Sequence, residues 1–415
     1  MIQLLVLADD FTGALDTGIK FADSGIKTKV ISAKEIDFSC IDETYEVLVM
    51  DLQTRHLPFR EAYSAVYRVS NKARIYEIPY ILKKTDSALR GNISAELTAL
   101  LDATHKDRLL FIPALPDARR TTVNGHHLID GVPVNESVFA KDPFSPVTHS
   151  RVSDIIGLHS NIICHNFTKD DNVGCYSGFY IYDASTNEDI LEITSKFKEK
   201  NMLDIMAGCS GLGAVLPDLL SLNTTTKRSY EKREKFITIC GSVNPITTAQ
   251  VNYAKESGIT HIKLSQEEKL VPDFWITEAG RKRIDEIRAI IEVNSSIIIS
   301  TFDDDGQTLK EGEKIGLNAN QTGACIAKNL GFLMKMLVNT DIDATYLVTG
   351  GDTLLGFMEQ INTFELDMIT EIMPGCVLSN VLYENNLTQV ISKSGGFGKQ
   401  DLFVTIEKLL IKGGD

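Results

Sequence analysis

Short apolar runs recur along the whole chain, each closed by a polar or glycine-rich cluster and followed by helical periodicity. This alternation constrains the fold more than any other feature, because strand–helix alternation builds parallel sheets covered by helices. In the first half, runs at 2–7, 29–32, 47–50, 80–83 and 109–112 read as strands. Helices are expected at 16–24, 60–72 and 94–102, with Gly25 placed to end the first. In the second half, strands are expected at 236–240, 297–301, 346–348 and 389–391, and helices at 247–257, 318–337, 354–361 and 401–411. Residues 113–146, rich in Pro, Gly, Asn and His, read as one long functional loop.

At 415 residues the chain exceeds what one core usually serves. The charged stretch 223–235 lacks apolar periodicity and marks a linker. The expected fold is α/β with two domains, 1–225 and 226–415, each a mostly parallel sheet flanked by helices. The net charge is −14, from 42 basic and 56 acidic residues. That balance argues against nucleic-acid binding, which needs a basic face, but leaves room for a small anion in a local positive pocket. Seven cysteines show no Cys-x-x-Cys spacing, so reduced thiols in a cytoplasmic protein are expected rather than a disulfide framework or structural zinc. The start of the chain lacks the basic and cleavage features of a signal peptide, and no apolar run is long enough to cross a bilayer. His126 and His127 are neighbours on a strand-like stretch and would face opposite sides, which suits packing better than shared metal ligation. Phe274–Trp275 is either a contact surface, as in a homodimer, or core.

In open parallel sheets, ligands bind at the carboxyl ends of the strands. Polar clusters follow those ends repeatedly here. The first is Ala8-Asp9-Asp10-Phe11-Thr12-Gly13-Ala14, where an aspartate either binds a sugar hydroxyl or caps the next helix. The second is Lys83-Lys84-Thr85-Asp86-Ser87-Ala88-Leu89-Arg90-Gly91-Asn92. Arg90 suits a carboxylate, with two parallel hydrogen bonds, and Asp86 suits a hydroxyl proton. The third runs from Pro113 to His127 and carries Arg119 and Arg120 among hydroxyls, a set suited to an anionic polyol. In the second half, Gly241-Ser242, with Thr247 as a helix cap, and Gly350-Gly351-Asp352-Thr353 lie between strand and helix. Such turns offer backbone N–H groups to phosphates. Asp352 is also placed to reach Mg²⁺. Asp303-Asp304-Asp305 is an acidic run better suited to a solvated loop than to a cation site. Pro374-Gly375 is a tight turn, and Ser392-Lys393-Ser394-Gly395-Gly396-Phe397-Gly398 combines a lysine with three glycines. The P-loop, dinucleotide-fold and nucleophile-elbow signatures are all absent.

Taken together and in this order, these clusters resemble the four-carbon acid sugar kinase family over nearly the whole chain. Two positions depart from its pattern: Ala88 stands where the family has threonine, and Arg119 where it tends to have glycine, an added side chain expected to reshape the acid pocket. The resemblance implies an N-terminal acid-sugar-binding domain and a C-terminal nucleotide-binding domain across an active-site cleft. ATP would phosphorylate the terminal hydroxyl of threonate, erythronate or an oxo-tetronate, in carbohydrate-acid catabolism. Phosphoryl transfer rests on positioning and charge neutralisation. Arg90 and Arg120 are then expected at the substrate carboxylate, and Asp9, Asp10, Thr12, Lys84, Ser87 and Asn92 around its hydroxyls. Asp86 is the first choice for the base, with Asp10 second. Ser242, Gly350, Gly351, Asp352, Thr353, Gly375, Lys393, Ser394, Gly395 and Gly396 are expected around the nucleotide, with Mg²⁺ bridging its phosphates beside Asp352. A nucleotide-independent sugar-acid dehydratase or isomerase, and a non-catalytic sugar-acid sensor, are the competing readings. Neither needs the glycine-rich strand ends of the second half.

Overall fold

Leu4–Ala8 is five apolar residues in a row, all buried, and forms strand β1. A strand apolar on both faces needs cover on both, which places it inside a parallel sheet. The computed structural model describes residues 2–142, 145–224, 229–241, 244–302, 306–394 and 396–411. It divides into two compact units, Met1–Lys227 and Arg228–Asp415.

The first unit continues through α1 (Phe11–Asp23), β2 (Thr28–Ser32), β3 (Val47–Asp51), α2 (Phe59–Ile75), β4 (Tyr80–Lys84), α3 (Ile93–Thr104) and β5 (Arg108–Ile112). Helix α1 starts earlier than its apolar pattern predicts, because the Asp10 side chain caps it by accepting from the Gly13 N–H at 3.0 Å. Residues 113–146 are not one irregular loop. They hold β6 (Arg120–Val123), β7 (His126–Ile129) and β8 (Val132–Pro133), paired antiparallel. Asn124-Gly125 and Asp130-Gly131 make the two turns, with φ of 52° and 75°, and 52° and 81°. These dipeptides are strong hairpin signals, since both turn residues need positive φ.

Beyond the hairpins come α4 (Val152–Gly157), β9 (Cys164–Phe167), β10 (Gly178–Tyr182), α5 (Asn187–Glu199), β11 (Ile205–Gly208) and α6 (Ser210–Leu219). The sheet order is β2-β3-β1-β4-β11-β5-β10-β9, parallel throughout. Register then decides what meets at the strand ends. Ala8 pairs with Asp51 on one side and with Lys84 on the other, and Lys84 with Gly208. The loops after β1, β3, β4 and β11 therefore leave the sheet at one level, where the chain switches from building one side to the other.

The second unit runs β12 (Lys235–Cys240), α7 (Pro245–Glu256), β13 (Thr260–Lys263), α8 (Gln266–Leu270), α9 (Glu278–Val293), β14 (Ser296–Ser300), α10 (Gln307–Lys314) and α11 (Ala319–Val338). It closes with β15 (Ala344–Thr349), α12 (Gly351–Gln360), β16 (Glu365–Met373), β17 (Cys376–Tyr383), β18 (Asn386–Lys393) and α13 (Leu402–Leu410). The order β13-β14-β12-β15-β18 is parallel, whereas β18, β17 and β16 form an antiparallel meander. Pro374-Gly375 makes the first of its turns, as its residues predict. Helix α7 is capped by Asn244, whose side chain accepts from Ile246 N at 2.9 Å, and not by Thr247, which is buried. Trp275 is buried and packs edge-to-face on Phe274, so it is core. Cys240 pairs with Ser300 and Thr349, and Thr349 with Lys393, so four parallel strands end in line. Among the described residues, no helix is long and apolar enough to cross a membrane.

Candidate functional site

In the first unit the strand ends carry a dense set of buried charges. Asp9 is 1% exposed, and its Oδ2 accepts from Arg55 Nε at 2.7 Å. Asp10 Oδ2 accepts from Arg55 Nη1 at 2.7 Å, and Arg55 Nη2 lies 3.5 Å from Asp86 Oδ1. One guanidinium thus joins three carboxylates from two loops. Arg55 is absent from the motif-based set of site residues. It closes Asp51-Leu52-Gln53-Thr54-Arg55, a polar cluster at the end of buried β3, so the rule that singles out the other clusters also points to it.

The three carboxylates differ in what remains available. Asp86 Oδ2 accepts from the backbone N–H groups of Ala88 and Arg90 at 3.1 Å each and from Arg90 Nε at 2.9 Å. Its Oδ1 accepts from Arg90 Nη2 at 2.9 Å. Burial pushes the Asp86 carboxyl up, but the Arg90 hydrogen bonds and the charges of Arg55 and Arg90 hold it well below the usual carboxylate range. Burial also works against the Asp9 charge, and Arg55, Lys83 and Lys84 outweigh it, so Asp9 is lowered. Asp10 goes the other way: burial and the neighbouring Asp9 charge raise it, against the pull of Arg55 and Lys84. Its side chain is also the most exposed of the three, at 30% against 1% and 7%. The expected role of Asp86 as base fits this geometry less well than Asp10 does, because three donors crowd its Oδ2, where each Asp10 oxygen accepts from one, and its proton affinity is low.

Beneath this layer, Lys83 Nζ lies 3.1 Å from Glu96 Oε2, both fully buried, and Thr54 donates to Glu96 Oε1. Asn92 Nδ2 donates to the carbonyls of Thr54 and Leu57 at 2.9 and 2.8 Å. Asn92 therefore holds the Arg55 loop with the amide hydrogens expected to reach substrate. Lys84 is buried and donates to the Thr85 carbonyl at 2.7 Å, with no ion pair among the described residues. Thr12 lies half-buried at the start of α1. Arg120 Nη1 donates to Ser87 Oγ. Arg120 has no ion pair among the described residues, and burial works against its charge. The guanidinium carbons of Arg90 and Arg120 lie 5.1 and 5.2 Å from the centre of the Phe139 ring. Arg119 does not enter this pocket. Its side chain is 81% exposed and pairs with Asp130 at 2.8 Å, while its φ of 53° is a conformation that glycine adopts without strain. His127 is a packing residue: it is buried, its Nε2 and the Ser87 carbonyl are 2.8 Å apart, and burial lowers it to about 4. A cavity of about 260 Å³ opens beside Arg90, lined also by Arg55, His56, Asn92, Ser145 and Thr148.

The second unit has a different kind of site. A cavity of about 630 Å³ lies at the ends of β12, β14 and β15. Gly241, Asn244, Gly350, Asp352 and Thr353 line its strand-end side, and Leu309, Ala319, Ile326 and Ala327 from α10 and α11 its apolar side. Gly350 has φ 93° and precedes α12 with no side-chain cap, so the first amides of that helix are left for a ligand. A Cβ on Gly241 would lie 2.3 Å from Thr353 Oγ1 and 2.9 Å from Leu330 Cδ1, so a larger residue there would have to push both side chains aside.

Lys393 is buried, and its Nζ donates to the Ser394 carbonyl at 3.0 Å and to Thr247 Oγ1 at 3.4 Å. Burial lowers its proton affinity. Ser394 N donates to the Gly375 carbonyl at 3.3 Å, and Gly396 lies beside the Asn244 amide, so these residues border the site from the β18 end. Ser242, Gly395 and Asp303 to Asp305 lie outside the described residues. Among the described residues no group of three His, Cys, Asp or Glu side chains could hold a metal. Asp352, a carboxylate on the cavity wall, suits a single contact to an ion that a nucleotide brings with it.

Two family models match the chain. One is described as the sugar-binding N-terminal domain and covers residues 4–216; the other is the nucleotide-binding C-terminal domain and covers 237–403. A D-threonate kinase of Salmonella typhimurium is 28% identical over 96% of both chains. A D-erythronate kinase of Heliobacterium modesticaldum is 22% identical over 99% of this chain and 98% of its own. A solved structure of a Haemophilus influenzae protein matches with a TM-score of 0.79 at 20% identity, over 98% of this chain and all of that one, which shows the shared fold.

Proposed function

As the chain belongs to the four-carbon acid sugar kinase family, we propose that it transfers the γ-phosphoryl group of MgATP to the terminal hydroxyl of a four-carbon sugar acid. Threonate, erythronate and the oxo-tetronates are the substrate class. The observation that carries this reading is the Arg55 cluster, in which three carboxylates share one guanidinium and only Asp10 combines exposure with raised proton affinity.

Asp10 orients the substrate hydroxyl and takes its proton as the oxygen bonds to the γ-phosphorus and ADP leaves. Asp9 Oδ1, buried without a hydrogen-bond partner among the described residues, is an acceptor left for a second hydroxyl. Arg120, with Arg90 across the Phe139 ring, grips the acid carboxylate. Asp86 anchors Arg90 rather than acting on the substrate. The α12 N-terminus at Gly350–Thr353 receives the nucleotide phosphates, and the apolar wall of α10 and α11 receives the base. Magnesium would enter as part of the nucleotide substrate, and Asp352, on the cavity wall, is the carboxylate that would contact it. A cytoplasmic setting belongs to the same reading, since no disulfide forms among the described residues.

The test is ADP release by the purified protein with MgATP across four-carbon sugar acids, D-threonate and D-erythronate first. Release that depends on one acid supports the kinase and names its substrate. Nucleotide binding without turnover on any of them moves the substrate outside this class. Failure to bind MgATP at all overturns the reading.

A further inference from the structure

Arg90 has two faces. Its Nε and Nη2 are both bonded to Asp86, which fixes the plane of the guanidinium. Its Nη1 lies 3.1 Å from Asp142 Oδ2. Asp142 is itself held, since its Oδ1 accepts from Ser145 N at 2.9 Å. The segment that carries Asp142 also places the Phe139 ring against both Arg90 and Arg120. A carboxylate spanning Arg120 and Arg90 has the two Nη1 hydrogens and one Nη2 hydrogen of Arg90 to use, because Asp86 takes Nε–H and the other Nη2 hydrogen. Asp142 takes one of those three and sets a negative charge beside the other two. It is not needed to orient the arginine, as the bidentate Asp86 contact already does so.

We propose that Asp142 is an internal competitor for the substrate carboxylate on Arg90 and so sets the acid affinity of the site, an inference that rests on the functional reading above. A ligand that must displace a residue from its partner binds with an apparent affinity reduced by the fraction of molecules in which that partner is free. The Arg90–Asp142 pair is partly exposed, at 24% and 16%. The reduction is therefore modest, roughly three- to fivefold, as expected for a pair of this exposure. The same contact makes the site respond to the charge of its ligand, because a neutral polyol has no reason to displace Asp142.

The experiment is steady-state kinetics of Asp142→Asn on the acid that the wild type uses. Asparagine keeps an oxygen for Ser145 N and removes the charge. The expected result is an acid KM lower by roughly three- to fivefold, with kcat and the KM for MgATP unchanged. Inhibition by the neutral polyol threitol should be the same in both proteins. Asp142→Ser, which also removes the carboxylate, should lower the acid KM in the same direction and guards against an effect peculiar to the amide. An acid KM equal to or above that of the wild type in both variants overturns the competitor role, because a merely structural Asp142 would loosen the site when lost. A wild type that turns over no four-carbon acid moves the substrate outside this class and overturns this inference, and one that also fails to bind MgATP overturns the functional reading as well.

Discussion

The strand ends of the two units do opposite things with the same topology. Those of the first unit are filled with ionised side chains: Asp9, Asp10, Arg55, Lys84, Asp86 and Arg90 lie at the ends of three strands, β1, β3 and β4. Those of the second are lined by glycine, threonine and backbone around a large cavity. Recognition of hydroxyls and a carboxylate needs acceptors and donors at set positions, and buried charges stay there only if each is balanced. Recognition of phosphates needs close approach of N–H groups, which side chains obstruct. The charged site is therefore sensitive to charge, and the open site to volume.

The largest effect should come from breaking the charge balance. Arg55→Met leaves Asp9, Asp10 and Asp86 without their shared cation, and removing one partner of a buried ion pair costs about 3–5 kcal/mol. Urea unfolding should show that loss, and activity should vanish. A variant as stable as the wild type would mean that the cluster is not a unit. Next is Asp10→Asn, for which kcat should fall by about 10²–10⁴-fold, typical of a lost general base, with the acid KM little changed. The sign of the pH dependence follows from the raised carboxyl of Asp10. The base is active only when deprotonated, so wild-type kcat should fall as pH drops through a value above the ordinary 3.8 for aspartate. That limb should be missing from the residual activity of the variant. Asp86→Asn, by contrast, should show its main loss in stability.

In the second unit, Gly350→Ala forces a Cβ into a φ of 93°. Such strain costs about 1–3 kcal/mol, so the KM for MgATP should rise about tenfold or more while the acid KM holds. An equal rise in both would show that the two sites do not divide the work as stated. The smallest effect sharpens the charge argument. Burial raises Asp51 to about 6, so the native state keeps its proton to a higher pH than the unfolded chain does. The stability this gives is present below about 3.8, is lost as pH rises towards 6, and then stays lost. Asp51→Asn should flatten that stretch of the unfolding-midpoint profile, by about 1 kcal/mol or more. An unchanged slope would place the titration elsewhere.

Much of the fold was legible because buried parallel strands are unbroken apolar runs, and β1, β3, β12 and β14 read as such. The hairpins at 120–133 were legible too, in Asn124-Gly125 and Asp130-Gly131, but the surrounding prolines and glycines suggest loop instead. The antiparallel strands β16 and β17 leave a weaker trace, since partly exposed strands alternate only loosely. In the candidate site, the clusters at 8–14 and 84–92 point to loops that the structure brings together, yet not to the division of labour within them. Nothing local distinguishes Asp86 from Asp10 as a base.

Sequence alone determined which strand ends carry charge and which carry glycine, because chain order and apolar periodicity place those clusters after strands. Tertiary structure decided which carboxylates are neutralised. Arg55 lies more than forty residues along the chain from Asp9 and Asp10, and only the pairing of Ala8 with Asp51 and Lys84 brings Asp9, Asp10, Arg55 and Asp86 to one level. Proton affinity depends on burial and on the distance to every neighbouring charge, and those distances exist only once the sheet has assembled.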